Sequence, residues 1–403
     1  MNLDWNPQTL AFRDEVRAFL DAELTPELRD ATARMTSVYA HPAVSMKWQA
    51  ILHKRGWVVP SWPAQYGGCD WTPVQKYIFI RECAEAGAPP LSPMGLGMCG
   101  PVLMGYGTPA QKKYYLPRML AGEDFWCQGY SETTSGSDLA SLQMKAVRDG
   151  DDLICTGHKI WTTHAQFANL CFCLVRTTKV DKPQVGITFL LIDMTAPGIT
   201  VNPIISLSGE HVQNMIMFDE VRVPVANVVG AIDDGWTVAK YLMEFERGGS
   251  LYAPGIRVRL NRLLNFLKAE AITSITLRRR VSKLSVDIET MDALELQFMS
   301  RLSSGGAPGT MASVVKVLGT ELSQRLTEIE LEASMPYAAA WQPQLTVPGG
   351  AIPGFTTTGD DDGAGTAYAA KAAPKYFNDR AGSIYAGTNE IQRNILWGTM
   401  ARG

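Results

Sequence analysis

Apolar positions divide the chain into three stretches of different period. In the first, Leu10, Phe12, Val16, Phe19 and Leu20 recur at helical spacing. "SWPAQYGG" at 61–68 is a turn-rich break, and "GTPAQKKYYLPRMLAG" at 107–122 opens with a threonine cap before a proline at the first helical position. After Gly122 the character changes. "FWCQGYS", "LICTGHKIWTT", "LCFCLVRT", "GITFLLIDM" and "NMIMFDEVRVP" are short β-branched or aromatic runs separated by Gly, Asp and Pro, and they predict strands of a small β-domain ending near Pro224. Helical spacing returns from about Asp234. Val281, Leu284, Ile288, Met291, Leu294, Phe298 and Leu302 form one long stripe, and Val314, Val317, Leu318, Leu322, Leu326 and Ile329 form another, with "SSGGAPG" at 303–309 between them. The Pro/Gly/Asp-rich stretch from Pro343 to Thr366 is too long for an ordinary connection, so it predicts either a functional loop or a poorly ordered one. The expected fold class is α+β. It comprises an N-terminal helical domain over 1–122, a small middle β-domain over 123–234, and a C-terminal helical bundle over 235–403.

Composition narrows the function classes. The 403 residues are 46% hydrophobic and 19% charged, and 37 basic against 40 acidic residues leave a net charge of -3. That gives no global electrostatic case for a nucleic-acid or anionic-membrane partner. The opening "MNLDWNPQTLAFRDEVRAFLD" carries acids throughout and lacks the basic start and apolar run of a signal peptide. No apolar stretch is long enough to span a bilayer, so a cytoplasmic location is expected. The seven cysteines form no C-x-x-C pair and their number is odd, which predicts reduced, mostly buried thiols. Five scattered histidines without H-E-x-x-H predict no metal site.

Two stretches carry candidate chemistry. "GYSETTSGSDLAS", Gly129 to Ser141, follows a predicted strand and crowds hydroxyls and two acids among small residues. Such a loop can offer N–H groups and hydroxyls to an anionic or carbonyl-rich ligand, although a solvated turn has the same composition. In "GHKIWTTHA", Gly157 to Ala165, strand alternation would put Trp161 and Thr163 on one face, a wall for a flat heteroaromatic cofactor. A core tryptophan is the plainer alternative.

Together with "GTPAQKKYYLPRMLAGE", "FDEVRVPVANVVG", "DDGWTVAKYLMEFERGG" and "IYAGTNEIQRNI", these stretches occur in an order that resembles the acyl-CoA dehydrogenase flavoprotein family almost end to end. The resemblance implies an N-terminal helical domain, a middle β-barrel or sandwich domain and a C-terminal four-helix bundle, with non-covalent FAD and oxidation of an acyl-CoA thioester to its trans-2-enoyl product, a flavoprotein activity of lipid metabolism. By position, Ser131 would hydrogen-bond the flavin pyrimidine edge. The stretch from Gln128 through Tyr130 and Gly136 to Ser137 would line the flavin and the phosphates, with Ser137 near the CoA. Trp161, Thr162 and Thr163 would form the wall, Trp161 packing on the flavin face and Thr163 donating to flavin N5. Thr388 and Glu390 would hold FAD further from the ring. Tyr130 departs from the usual aliphatic residue, but its side chain should point opposite to that of Ser131.

The reaction needs a base for the weakly acidic α-proton, a hydride acceptor, and hydrogen bonds to the developing enolate oxygen. Many family members carry the base as a glutamate at a turn tip, where this sequence has Ala386. The isovaleryl and long-chain branches carry it on a helix directly before an arginine, where this sequence has Glu246 and Arg247. Ala239, Leu242, Met243 and Glu246 share one helical face, so the acid sits on an apolar stripe. Burial there would raise its pKa toward that of a general base. Glu244 matches a substrate-contacting position, with a solvated residue the equal alternative, Arg247 would orient the acid or the CoA chain, and the backbone of Ala386 and Gly387 would meet the thioester.

Two family elements are replaced. The Arg-x-x-Phe-Gly element gives way to "AEAITSITLRRRVSKL", and the Gly-rich element before the last helices gives way to "VPGGAIPGFTTTGDDDGAG". In common family tetramers these segments hold the adenosine half of a neighbour's FAD. Arg278, Arg279 and Arg280 offer charge for a pyrophosphate, although a solvated cluster is the plainer outcome. The expected partners are an acyl-CoA and an electron-transfer flavoprotein or similar acceptor. The expected assembly is a homodimer or homotetramer, with a paralogous subunit an open alternative. A non-catalytic half-site subunit and a flavin oxidase are the competing functions. Gly248, Gly249 and Ala386 free volume in the pocket, which predicts a branched, cyclic or bulky acyl group.

Overall fold

The computed structural model describes residues 5–248, 251–303, 309–356 and 363–401; for 244–248 and 302–303 it describes the helical backbone and not the side chains. The N-terminal part is helical: α1 Pro7–Glu23, α2 Pro26–Arg34, α3 Pro42–Arg55, α4 Pro73–Ala86, a π-helical turn Met94–Cys99, α5 Gly100–Tyr106 and α6 Pro109–Ala121. Helix starts follow local chemistry. Thr72 and Thr108 each build a capping box with the glutamine three residues on, and α6 stops at Gly122, whose φ of 76° suits glycine. Val16, Leu20, Trp48, Leu52, Tyr77 and Ile78 are buried in the core between these helices.

The middle part is an eight-stranded sheet: β1 Trp126–Gly129, β2 Lys145–Asp149, β3 Asp152–Lys159, β4 Leu170–Arg176, β5 Ile187–Asp193, β6 Ile199–Ile205, β7 His211–Pro224 and β8 Val228–Val229. The order is β6-β7-β3-β2-β4-β5-β8, with β1 parallel to β4. Neither β2 nor β6 is among the strands expected from the sequence. β2 buries only Ala146, and β6 contains Pro203, which an edge strand tolerates because its N–H side need not pair. β4 and β5 are buried almost throughout and read as continuous apolar runs.

The C-terminal part contains α7 Gly235–Gly248, α8 Ala253–Ala269, α9 Ile275–Ser303, α10 Met311–Ala333, α11 Ala367–Ala370, α12 Ala372–Asp379 and α13 Asn389–Met400. On α9, Val281, Leu284, Ile288, Met291 and Phe298 are buried as the stripe predicts, while Leu302 lies outside the described side chains. On α10 the face differs from expectation. Leu318 is exposed, whereas Ser313, Lys316 and Thr320 are buried because they meet polar groups of α13. Of the stretch from Pro343 to Thr366, residues 357–362 lie outside the described residues. The rest packs: Val347 exchanges backbone hydrogen bonds with Arg34 and Thr36, and His211 N–H donates to the Ala351 carbonyl. Among the described residues all seven cysteines are free thiols, no His/Cys/Asp/Glu group is arranged to hold a metal, and no helix is long and apolar enough to cross a membrane.

Candidate active site

The turns that follow β1 and β3 meet where Ile160 N–H donates to the Ser131 carbonyl, and they carry many of the candidate residues. Gly129 closes β1 where the strand lies tight on β4. A Cβ there would sit 2.9 Å from Cys173 Sγ and 3.0 Å from Cys171 Sγ, so only glycine fits. Beyond it the chain alternates. Tyr130 is buried with its ring 5.8 Å from Phe172 and 6.5 Å from Phe189, Ser131 is half-buried, and Glu132 is buried again. The Tyr130 side chain therefore belongs to the core, and any ligand contact there falls to its backbone. Glu132 and Ser135 exchange backbone hydrogen bonds of 2.9 and 3.1 Å, which closes a turn with Thr133 and Thr134 exposed at its tip. Gly136 and Ser137 follow in the open, and Gln128 is half-buried on β1.

The second turn corrects the expected strand. β3 ends at Lys159, and Trp161 and His164 adopt left-handed φ values of 61° and 56°, so Trp161 and Thr163 do not share a strand face by alternation. β7 imposes this shape. Thr162 N–H donates to the Asn214 carbonyl at 3.0 Å, Asn214 Nδ2 donates back to the Thr162 carbonyl at 3.0 Å, and His164 N–H donates to the Val212 carbonyl at 2.8 Å. A non-glycine residue in this region costs roughly 1–3 kcal/mol and persists only where surroundings over-determine it. Here the strained residue is a tryptophan left 60% exposed. Thr163 is half-buried beside it, and Thr162 is buried.

These turns fit a flat, heteroatom-rich cofactor on grounds internal to the structure. The hydroxyls of Thr162 and Ser135 are buried without a hydrogen-bond partner among the described residues. A buried unpaired hydroxyl costs about 1–3 kcal/mol, so each marks a place where a ligand or water completes the structure. The exposed indole supplies a stacking face.

A third turn, Tyr385–Thr388, leads into α13. Ala386 has φ 56° and Gly387 φ 74°. The Gln392 side chain reaches back to the Ala386 and Gly387 carbonyls, at 3.4 Å each, while its Oε1 accepts from Ser313 Oγ at 2.8 Å. Thr388 caps α13 by accepting from Ile391 N–H at 3.1 Å. Glu390, in the first turn of α13, is exposed and 3.8 Å from Arg393. Beneath them Lys316 Nζ donates to Asn389 Oδ1 at 2.8 Å, and Thr320 hydrogen-bonds the same Asn389 side chain. Periodicity does not show this network, because a lysine flanked by valines on α10 has the pattern of a solvated break in the stripe. Its trace in the sequence is "TNEIQ", 388–392, in which Gln392 follows Asn389 by three positions.

α7 carries Glu244, Glu246 and Arg247, whose side chains lie outside the described residues, as does Gly249 altogether. The first part of the helix is well defined. Val238, Ala239 and Leu242 are fully buried, and α7 packs on β5, α5, the π-helical turn and α10. Its start is pressed on the sheet, since a Cβ on Gly235 would sit 2.4 Å from Phe189 N. The basic cluster at the head of α9 is divided: Arg278 and Arg279 are exposed, whereas Arg280 pairs with Glu328 and Glu332 of α10.

Comparison with known proteins fixes the class. Models of the acyl-CoA dehydrogenase N-terminal domain and middle domain match residues 6–123 and 127–221. Acyl-CoA dehydrogenase IpdE1 of Mycobacterium tuberculosis is 31% identical over 392 residues, covering 96% of this chain and 95% of that protein. Among solved structures, the Tcur3481-Tcur3483 steroid ACAD superposes with TM-score 0.81 at 27% identity, covering 100% of this chain and 99% of that one. The ChsE4-ChsE5 complex from Mycobacterium tuberculosis gives 0.78 at 28%, with the same coverage. The chain belongs to the acyl-CoA dehydrogenase family, oxidoreductases that act on CH–CH groups.

Proposed function

We propose that this chain binds FAD against Ser131 and Trp161 and desaturates an acyl-CoA thioester at its α,β-bond, with Glu246 as the base. The observation that carries the FAD reading is the strained, exposed Trp161 beside the unpaired Thr162 hydroxyl. FAD supplies the hydride acceptor when bound. The chain's own residues do the rest. Ser131 and Thr163 orient the ring, and the Ala386 N–H donates to the thioester oxygen. Glu246 removes the α-proton, worth roughly 10²–10⁴-fold in rate. Thr388 and Glu390 hold the far end of the cofactor, while Glu244, Arg247, Ser137 and Gly387 border the CoA. An electron-transfer flavoprotein or similar acceptor then takes the electrons.

The acyl group is branched, cyclic or bulky. Ala386 removes a side chain from the turn, and a solved relative is described as a steroid enzyme, so steroid-derived acyl-CoA thioesters head the panel. Flavin bleaching across acyl-CoA thioesters of graded bulk tests this. Strict preference for straight medium chains overturns the bulky-substrate reading. Glu246→Gln should retain yellow FAD and lose bleaching; full activity in that variant removes Glu246 from the mechanism.

A second reading has a specific observation behind it. The steroid enzyme and the ChsE4-ChsE5 complex are each described by two components, and this chain has Ala386 where many relatives have the base. On this reading a paralogous subunit shares the FAD site. A purified single-chain oligomer that binds one FAD per chain and bleaches with substrate refutes it.

A further inference from the structure

Lys159 is fully buried at the end of β3, where its Nζ donates to Glu132 Oε1 at 2.8 Å and to the Tyr130 carbonyl at 3.2 Å. Glu132 is also spoken for. Its Oε1 accepts from Met144 N–H at 2.9 Å and its Oε2 from Gln143 N–H at 2.7 Å. The ion pair thus ties the turn after β1 to the starts of β2 and of the Trp161 turn. Burial alone would push the Glu132 carboxyl up, but Lys159 and the two N–H donors hold it below its ordinary value, which favours the carboxylate.

The consequence lies in the Tyr130–Ser131 peptide. Its carbonyl oxygen faces the Lys159 ammonium, and the Ser131 carbonyl is taken by Ile160 N–H at 2.9 Å. The N–H of that first peptide, Ser131 N–H, enters no hydrogen bond among the described residues, and Ser131 is half-buried. A cation on a carbonyl polarises the whole amide and makes its N–H a stronger donor, and the low dielectric of a buried site enlarges the effect.

We infer that Lys159 is a positioning residue that acts through the Tyr130–Ser131 peptide, strengthening the Ser131 N–H as a donor to the pyrimidine edge of FAD and favouring the reduced cofactor. Negative charge gathers at that edge when the cofactor takes up electrons, so a stronger donor there binds reduced FAD more tightly than oxidised FAD. Glu132 keeps the ammonium in place and neutralises it toward the rest of the core. This inference rests on the FAD reading above.

The test is the midpoint potential and visible spectrum of bound FAD, with FAD dissociation constants measured alongside. In Lys159→Met with Glu132→Gln, no buried carboxylate is left without its cation. The expected result is a tenfold loss of preference for reduced over oxidised FAD, a fall of about 30 mV for a two-electron couple. Lys159→Gln with Glu132→Gln retains a neutral donor for the Tyr130 carbonyl and should fall between. It reads the same quantity if the methionine pair does not fold. A role in fold stability alone would lower the unfolding temperature and leave the potential where it was. Unchanged potentials in the folded variants overturn the inference while leaving the FAD reading intact. Wild-type protein that binds no FAD overturns both.

Discussion

His164 Nε2 donates to the Gly349 carbonyl at 2.8 Å, and this bond ties the turn that carries Trp161 to a strap from the C-terminal part of the chain. Gly349 N–H donates to Glu210 Oε2 at 2.8 Å, and Asn378 Nδ2 donates to Glu210 Oε1 at 3.1 Å. Glu210 and His164 are both buried, so the strap seats on satisfied polar groups. Through the His164–Gly349 bond it supports the turn.

The strap needs its glycines for space. A Cβ on Gly350 would lie 1.9 Å from the His211 backbone oxygen, and one on Gly349 would lie 2.5 Å from Ser37 Cβ. Gly350→Ala should therefore lift the strap, at a cost of about 1–3 kcal/mol. The expected outcome is a lowered unfolding temperature together with weaker FAD binding, read by flavin fluorescence. Loss of stability with unaltered FAD affinity would show that the strap does not support the turn.

Two buried groups give opposite pH slopes. Burial holds the His164 imidazole down at about 4, against the opposing effect of the Gly349 bond. The unfolded histidine, near 6.5, binds more protons in between, so this contribution is complete above about 6.5 and is lost as pH falls toward 4. Burial pushes the Glu295 carboxyl up to about 7, although it accepts from Tyr252 and Ala253 N–H at the head of α8. Here the folded state binds more protons between about 4.5 and 7, so stability falls as pH rises through that window. Each effect is on the order of 3 kcal/mol, and in wild type they offset one another near pH 5–6. Glu295→Gln should unmask a rising stability with pH, and His164→Gln a falling one, in denaturant titrations from pH 4.5 to 7.5. Parallel profiles for the two variants would refute the assignment.

Asn389 is the hub beneath the Ala386 turn, accepting from Lys316 Nζ and exchanging hydrogen bonds with Thr320. Asn389→Ala removes an acceptor of the buried Lys316 ammonium. Losing a buried hydrogen bond to a charged group costs about 1.5–3 kcal/mol. Thermal unfolding should report that loss, and protease cleavage near 385–388 should accelerate. A neutral substitution would mean that the turn is held by Gln392 alone.

Local periodicity revealed some of these features and missed others for physical reasons. The burial of Tyr130 beside a half-buried Ser131 follows from alternation at the end of a strand, and the capping of α6 follows from Thr108 and Gln111. The left-handed Trp161 does not, because its conformation is set by Asn214 and Val212, about fifty residues on in the chain. β6 was hidden by the proline that its edge position permits. Lys159 and Lys316 look like surface residues in sequence, since a lysine pattern carries no mark of the distant acceptor that permits burial.

The Ala386 turn supports a last prediction. Its carbonyls are held by Gln392 and its exit by the Thr388 cap, so the fold of the turn does not depend on the residue-386 side chain. Ala386 already adopts φ 56°, a region where replacing one side chain by another adds little strain beyond what alanine carries. Ala386→Glu should therefore fold, and in a Glu246→Gln background it should restore part of the α-proton abstraction from the family's other base position. In the wild-type background the same substitution should lower kcat/KM more for bulky than for small acyl groups, because the added side chain takes up the space alanine leaves. Rapid-mixing bleaching of the flavin measures both. No recovery in the double variant, with FAD still bound, would mean that this turn does not border the α-carbon and would unseat the proposed role of the Ala386 N–H as well.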